Sequence, residues 1–191
     1  LNLVGGTFGD YAITAMTVCS KITMFFNSAM IGFGQGFQPV CGFNYGAGKY
    51  NRVKKAFWFS TRVTFIFLLF LSVTGIVFAK PLVEIFSDDP AVLEFGIPTL
   101  RFMCVSFPLN SFTVMSNMMM QTIGKGGRAT VVAVSRQGLA LIPIMLLLWY
   151  FCGSWGLQSS QMWADIAAFL ITVPLELSVL RELDREFTDK A

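Results

Sequence analysis

The stretch Phe102–Ile123 reads FMCVSFPLNSFTVMSNMMMQTI and contains no charged residue. About 20 residues of helix are enough to cross the hydrocarbon core of a bilayer, so this stretch predicts a transmembrane span. A helix is required there because hydrocarbon offers no partner for open backbone N–H and C=O groups. The stretch therefore predicts an all-α membrane protein.

Apolar stretches on both sides extend this prediction to the rest of the chain. Residues 137–164 also contain no charged residue, and residues 57–79 contain only Arg62. The first ten residues, LNLVGGTFGD, are expected to form the end of a sixth helix and a Gly-rich turn. The expected fold is an all-α, polytopic transmembrane helix bundle with five full spans, at about residues 11–39, 56–79, 95–123, 129–152 and 157–180.

The composition excludes most other classes of protein. Hydrophobic residues make up 54% of the 191 residues and charged residues 13%, whereas about a quarter of a soluble domain is charged. The chain has no histidine, which removes histidine-based zinc sites and Ser-His or Cys-His nucleophile pairs. The four cysteines show no CxxC spacing and the basic residues are dispersed among apolar runs. We therefore expect no enzyme, no metal site, no cofactor and no nucleic-acid partner.

The charges in the predicted loops alternate between the two sides of the membrane. Lysine and arginine collect in the first loop (49–55), the third loop (125–128) and the tail (181–191), whereas the second loop is acidic. Cytoplasmic loops are enriched in these basic residues. The tail is therefore predicted to be cytoplasmic and the turn Asp88–Pro90 external, with Pro90 opening the third span.

The most unusual local pattern is the glycine-rich segment 32–49, GFGQGFQPVCGFNYGAGK. It has neither the G-x-G-x-x-G nor the P-loop spacing, so nucleotide binding is not predicted. Gly32 and Gly36 have the small-xxx-small spacing that lets a neighbouring membrane helix approach closely. Pro39 is expected to end or kink the helix before a tight turn that Gly42, Gly46 and Gly48 support.

The run from Gly32 to Ala56, GFGQGFQPVCGFNYGAGKYNRVKKA, resembles a segment of the multidrug and toxic compound extrusion (MATE) transporters that joins two helices of their C-terminal lobe. The turn Phe86–Asp89, the run Gln121–Gly126 and the triplet Ser135–Gln137 are similar as well. The resemblance covers nearly the whole chain, from about Leu3 onward.

The resemblance implies a twelve-helix secondary antiporter with two six-helix lobes around a central cavity, of which this chain is a partial C-terminal lobe. Such proteins export amphipathic organic cations in exchange for protons or sodium ions, by rigid-body alternating access. The implied location is the bacterial inner membrane. The implied partners are the lipid bilayer, small amphipathic cationic drugs and an N-terminal lobe of the same polypeptide, with no cofactor besides the coupling ion.

Charged residues inside the predicted spans are expected to be paired or functional, because a charge at the membrane centre costs about 3 kcal/mol. Lys21, Arg136 and Asp165 are such residues, and Arg101 lies close enough to a span end to reach the interface. Lys21 and Asp165 fall at comparable depth, which predicts an ion pair. Asp165 is either a paired brace or a coupling acid, since a carboxylate can bind a proton, a metal ion or a cationic drug in turn.

The third span offers amides in place of acids. Some branches of the MATE family carry a carboxylate on the matching helix, but this chain has only Glu94 at its mouth. The main coupling carboxylate is therefore expected to be Asp165 or to lie in the other lobe. The methionines of this span suit a pocket that repacks around varied substrates, although consecutive ones cannot all face it. The candidate residues of the substrate and ion pathway are Lys21, Gln35, Gln38, Asn110, Asn117, Gln121, Arg136 and Asp165.

Three alternative functions stay open. A lipid-linked saccharide flippase of the same superfamily would need several basic side chains facing its cavity to hold a pyrophosphate, and only Lys21 and Arg136 are candidates. A membrane-embedded enzyme would need a nucleophile with a base, or a metal cluster, at membrane depth. An inactive truncated fragment that packs against a partner helix bundle would describe the chain as given.

The predicted orientation can be tested with reporters fused to the protein. A reporter placed after Lys190 is expected to be active only on the cytoplasmic side, and one placed in the Asp88–Asp89 turn only outside. Fluorescence and phosphatase reporters together distinguish the two sides. Activity of the Lys190 fusion only outside would contradict the orientation.

Overall fold

A computed structural model describes residues 10–135 and 141–188 of the chain, and nearly all of these residues are helical. No strand occurs in the described residues, which confirms the all-α prediction. The helices are α1 (Asp10–Gly46), α2 (Tyr50–Val77), α3 (Ala79–Glu84), α4 (Pro90–Thr122), α5 (Gly126–Val134) and α6 (Leu141–Thr188).

Three of the described stretches are long and apolar enough to cross a membrane, namely residues 50–77, 90–122 and 158–185. They coincide with the second, third and fifth predicted spans. The first predicted span lies inside α1. This helix is long enough to cross a membrane but is less apolar than the other three, because amides, hydroxyls and glycines interrupt its apolar residues. The fourth predicted span includes residues 136–140, and the predicted end of a sixth helix falls on residues 1–9; both segments lie outside the described residues.

The turn between α1 and α2 comes later than the sequence suggests. α1 continues through Pro39 and Gly42 and ends at Gly46, so Pro39 does not end the helix and Gly42 lies before the turn that it was expected to support. Proline removes only one backbone hydrogen bond, which a membrane helix among packed neighbours tolerates. The reversal is at Gly48, whose φ of 68° favours glycine.

The close approach between α1 and α4 occurs at Gly34. A Cβ atom on Gly34 would lie 2.1 Å from the Sδ atom of Met118, whereas a Cβ on Gly32 or Gly36 would meet nothing within 4 Å. The small-xxx-small prediction for Gly32 and Gly36 is therefore wrong for the contacts within this chain. The helices approach on the opposite side of the same glycine-rich segment.

α4 is the central helix of the bundle, because each of the other described helices packs against it. It begins as predicted at Pro90, and the side chain of Asp89 caps it by accepting a hydrogen bond of 2.9 Å from the backbone N–H of Ala91. Leu100 and Met115 in its middle turns are fully buried. This packing against the other helices agrees with the absence of charged residues from Phe102–Ile123.

Pro108 removes one backbone hydrogen bond of α4, and a side chain of α2 supplies the missing donor. Because proline has no N–H, the carbonyl of Cys104 four residues earlier has no helical donor. The hydroxyl of Ser72 donates to this carbonyl at 2.7 Å. One turn along α2, a Cβ on Gly75 would lie 2.5 Å from the Cys104 Sγ, so glycine permits the contact. The hydrogen bond therefore fixes α2 against α4 at the break.

The cysteines whose side chains the structure describes are small and buried. Cys19, Cys41 and Cys104 are free and buried, while the side chain of Cys152 lies outside the described part of the structure. The Cys19 thiol donates to the Gly96 carbonyl at 3.3 Å. These thiols pack between helices and form no cluster of metal ligands within the described residues.

The basic loops meet at one end of the bundle. Lys54 of α2 forms an ion pair with Asp184 of α6. Lys125 and Arg128, at the start of α5, both pair with Glu182 of α6. The first loop, the third loop and the end of α6 therefore lie on the same side, which agrees with the alternation predicted from the charges.

α6 is broken at Gly153, which has φ of 57° and ψ of −130°. Only glycine adopts this conformation without strain. The break falls where the sequence predicts an uncharged loop between the fourth and fifth spans, at Gly153–Gly156. The longer part of α6, after the break, carries Gln161, Asp165 and Glu176.

Replacing Ser72 by alanine is expected to destabilise the full-length protein by about 1–3 kcal/mol, because the Cys104 carbonyl loses its donor in an apolar environment. Thr74→Ala is the matched control, since the Thr74 hydroxyl donates only to the Phe70 carbonyl of its own helix. Thermal unfolding of the purified protein in detergent measures both variants. Equal melting temperatures for the two variants would contradict the role assigned to Ser72.

Candidate functional site

A cleft of about 560 Å³ lies between α1, α4 and α6. Ligand pockets for small molecules commonly have volumes of about 300–1,000 Å³. We call it the amide cleft, because amide side chains from all three helices line it. The lining residues are the amides Asn27, Asn117, Gln121 and Gln161, the methionines Met24, Met30 and Met118, the hydroxyls Ser20, Thr23 and Ser28, and the apolar Ile31, Val114 and Leu141.

The amides of the cleft present hydrogen-bond acceptors without a fixed charge. Gln121 Nε2 donates to Asn117 Oδ1 at 3.2 Å, one helical turn away. The buried Asn27 Oδ1 has no hydrogen-bond partner among the described residues. Carbonyl oxygens of this kind accept hydrogen bonds from ammonium groups. None of the described lining residues is charged, so the cleft can accept a cation without first displacing a resident basic side chain.

Methionine contributes to the cleft from two helices. Met24 and Met30 come from α1 and Met118 from α4. Met119 and Met120, which follow Met118 directly, are fully buried in the core instead. This agrees with the prediction that consecutive methionines cannot all face a cavity. Thioethers are flexible and polarizable, which suits contact with aromatic ligands of different shapes.

Asp165 occupies a separate buried site between α4 and α6. Its side chain is 3% exposed, and its Oδ2 accepts hydrogen bonds from Ser106 Oγ at 2.8 Å and from Asn110 Nδ2 at 3.2 Å. Gln161 lies one turn before Asp165 on α6 and lines the amide cleft. The cleft therefore runs past the Asp165 site.

The predicted ion pair between Lys21 and Asp165 does not form. Lys21 is exposed on α1, and the ion pairs between described residues do not include it. Hydroxyl and amide donors of α4 stabilise the Asp165 carboxylate in the position where the lysine was expected. Comparable positions within two predicted spans do not determine the direction in which each side chain points.

The remaining predicted pathway residues are divided among several places. Asn117 and Gln121 line the amide cleft, and Asn110 belongs to the Asp165 site. Gln35 is exposed and Gln38 is half-buried on α1, and neither lines the cleft. Arg136 lies outside the described residues.

Three residues of functional interest were not among the predicted candidates. Asn27 and Gln161 line the amide cleft. Glu176 of α6 is fully buried. All three are polar residues inside predicted apolar spans, which is itself a signal of function. The acid at position 176 was missed because it lies near the end of its span, where a sequence argument places side chains at the interface.

A bundle of apolar helices with an uncharged polar cleft at membrane depth is typical of a multi-pass membrane transport protein. The MatE family model matches residues 1–147, and the chain belongs to this family. The multidrug export protein MepA of Staphylococcus haemolyticus is 26% identical over 171 residues, which are 89% of this chain and 37% of that protein. The resemblance to MATE transporters is therefore confirmed.

Solved transporter structures have the same fold. The bent form of the Vibrio cholerae MATE transporter VcmN matches 97% of this chain and 42% of its own length, with a TM-score of 0.91 and 20% identity. An inward-facing multidrug resistance MATE transporter of the MOP superfamily matches 91% and 41%, with a TM-score of 0.86 and 18% identity. The chain thus spans about two fifths of the length of the proteins it matches.

The observed partners of Asp165 predict its response to substitution. Asp165→Ala is expected to destabilise the full-length protein by about 1–3 kcal/mol, because the Asn110 amide loses its acceptor, and Asp165→Asn restores most of the loss by keeping an acceptor oxygen. Lys21→Ala should leave the melting temperature unchanged.

The Lys21→Ala/Asp165→Ala double variant provides the control for this prediction. The two effects should add, because the residues do not interact. Thermal unfolding of the four proteins completes the cycle. A coupling energy well above 0.5 kcal/mol between positions 21 and 165 would instead support the ion pair.

Proposed function

We propose that the complete protein is a secondary active multidrug efflux antiporter that exports amphipathic organic cations in exchange for protons or sodium ions. The observation that carries the proposal is the amide cleft, whose acceptors and methionines suit a cation with an aromatic body. Membership of the MatE family and similarity to the multidrug export protein MepA support the same conclusion.

The binding mode follows from the chemistry of the cleft. The side-chain oxygens of Asn27, Gln121 and Gln161 accept hydrogen bonds from an organic cation in the cleft, and the methionines supply dispersion contact. Because these contacts are weakly directional, cations of different shapes can bind with similar affinity. Asp165 lies one helical turn after Gln161, which lines the cleft, and is held by hydrogen bonds from Ser106 and Asn110.

Transport requires a second wall for the cleft. In the proposed protein, the part of the polypeptide beyond this chain forms a second lobe, and the two lobes rock against each other around the bound cation. The similarity of this lobe both to a bent and to an inward-facing transporter supports movement as a rigid body. The proposed location is the cell inner membrane, with the end of α6 in the cytoplasm.

The composition of the cleft favours this function over a lipid-linked saccharide flippase. A pyrophosphate needs several basic side chains to bind it. The described lining of the cleft contains none, and Lys21 is exposed outside it.

A transport assay tests the proposal. Everted vesicles or proteoliposomes with the full-length protein are loaded with a fluorescent cationic dye, and proton and sodium gradients are imposed in turn. One gradient is expected to drive the dye. A rate of dye transport that changes with neither gradient would contradict the antiporter hypothesis.

Two amide variants connect the assay to the cleft. Gln121→Leu is expected to raise the KM for a cationic dye about 10- to 150-fold, because a lost hydrogen bond to a charged group costs about 1.5–3 kcal/mol. Gln35→Leu is the matched control, since Gln35 is an amide outside the cleft. Equal KM values for the two variants would place the binding site elsewhere.

A further inference from the structure

Glu176 of α6 is a buried acid with no observed partner. The residue is 0% exposed, and neither Oε1 nor Oε2 has a hydrogen-bond partner among the described residues. The residue lies on the same face of α6 as Asp165, three turns further along, at a helical distance of about 16 Å. Asp165 accepts two hydrogen bonds from α4. The last helix thus carries two buried acids in different environments.

The neighbours of Glu176 come from α4 and α1. The hydroxyl of Ser116 on α4 lies next to the carboxyl group, but neither group makes a hydrogen bond of acceptable geometry with the other. The Cys41 thiol of α1 is close enough to interact with the Glu176 charge. Ser116 and Cys41 are both fully buried. Val179 and Leu180, which follow Glu176 on α6, belong to the buried apolar core of the bundle.

The basic residues at this end of the bundle are engaged elsewhere. Lys54 of α2 pairs with Asp184, and Lys125 and Arg128 pair with Glu182. Both acids lie about two turns beyond Glu176 on α6. Among the described residues, no ion pair reaches Glu176 itself.

A carboxylate in this position must be neutralised, because burial of an unpaired ion costs several kcal/mol. A basic side chain, a metal ion or a proton could do this. No basic side chain among the described residues pairs with it. A hard cation takes about six oxygen ligands, whereas this site offers one carboxyl and one hydroxyl beside a thiol. A proton needs no further ligand.

We propose that Glu176, with Ser116 beside it, is a proton-binding site of this lobe. The carboxyl group is protonated at neutral pH in this packing of the helices, and a small rotation lets it donate to Ser116 Oγ. This state of Glu176 is a property of the lobe and goes beyond the transport activity proposed above. If the complete protein is an antiporter, a protonated Glu176 means that this lobe can carry a proton.

Infrared spectroscopy of the full-length protein in lipid at neutral pH tests the inference. A protonated carboxyl group in an apolar site gives a carbonyl stretch that is separate from the amide and carboxylate bands. We expect this band in the unmodified protein, its loss in Glu176→Gln and its retention in Asp165→Asn. A spectrum that is the same in Glu176→Gln as in the unmodified protein would overturn the proposal.

Two further measurements test the proposal if Glu176→Gln does not fold and distinguish a bound proton from a bound metal ion. Ser116→Ala keeps the acid and is expected to shift the frequency of the band, so the assignment can be made even if Glu176→Gln does not fold. An unshifted band in this variant counts against the site. Sodium chloride at constant pH should leave the band in place, and its loss would make Glu176 a ligand of a metal ion. The infrared measurements do not depend on dye movement. The proposal for Glu176 and the proposed transport function can therefore fail independently.

Discussion

The helix bundle depends on the pairing of every backbone polar group, and the hydrogen bond from Ser72 to the Cys104 carbonyl shows how this is met in the central helix. Inside a membrane each backbone polar group needs a partner from the protein itself. Pro108 leaves one carbonyl of the central helix without its donor, and α2 must lie close enough to supply one. The remaining described helices then pack around α4. The proline thus determines where two helices cross.

The same constraint separates the polar side chains of α4 into two groups. Ser106 and Asn110 donate to Asp165 and are committed to the structure. Asn117 and Gln121 point into the amide cleft, where a ligand can reach them. Both groups lie on nearly the same face of α4, which brings the cleft and the buried acid next to each other.

The two acids of α6 illustrate how packing gives different chemistry to similar residues. Asp165 has hydrogen-bond donors from the adjacent helix. Glu176, on the same face of α6, meets a hydroxyl and a thiol within an apolar core. Donors stabilise the ionised form of an acid, whereas an apolar site stabilises the neutral form. One helix thus carries an acid that α4 engages in hydrogen bonds and an acid for which we propose a bound proton.

The sequence by itself determined the all-α class, the start of α4 at Pro90, the break near Gly153 and the gathering of the basic loops at one end, because these follow from hydropathy, proline and glycine geometry, and charge. It also supplied Asn117, Gln121 and Asp165 as candidates. Only the tertiary structure decided that Gly34 rather than Gly32 contacts α4, that Lys21 points away from Asp165, and that Asn27 and Gln161 complete the cleft. These outcomes depend on the rotation of each helix about its axis, which is fixed by contacts between residues far apart in the chain.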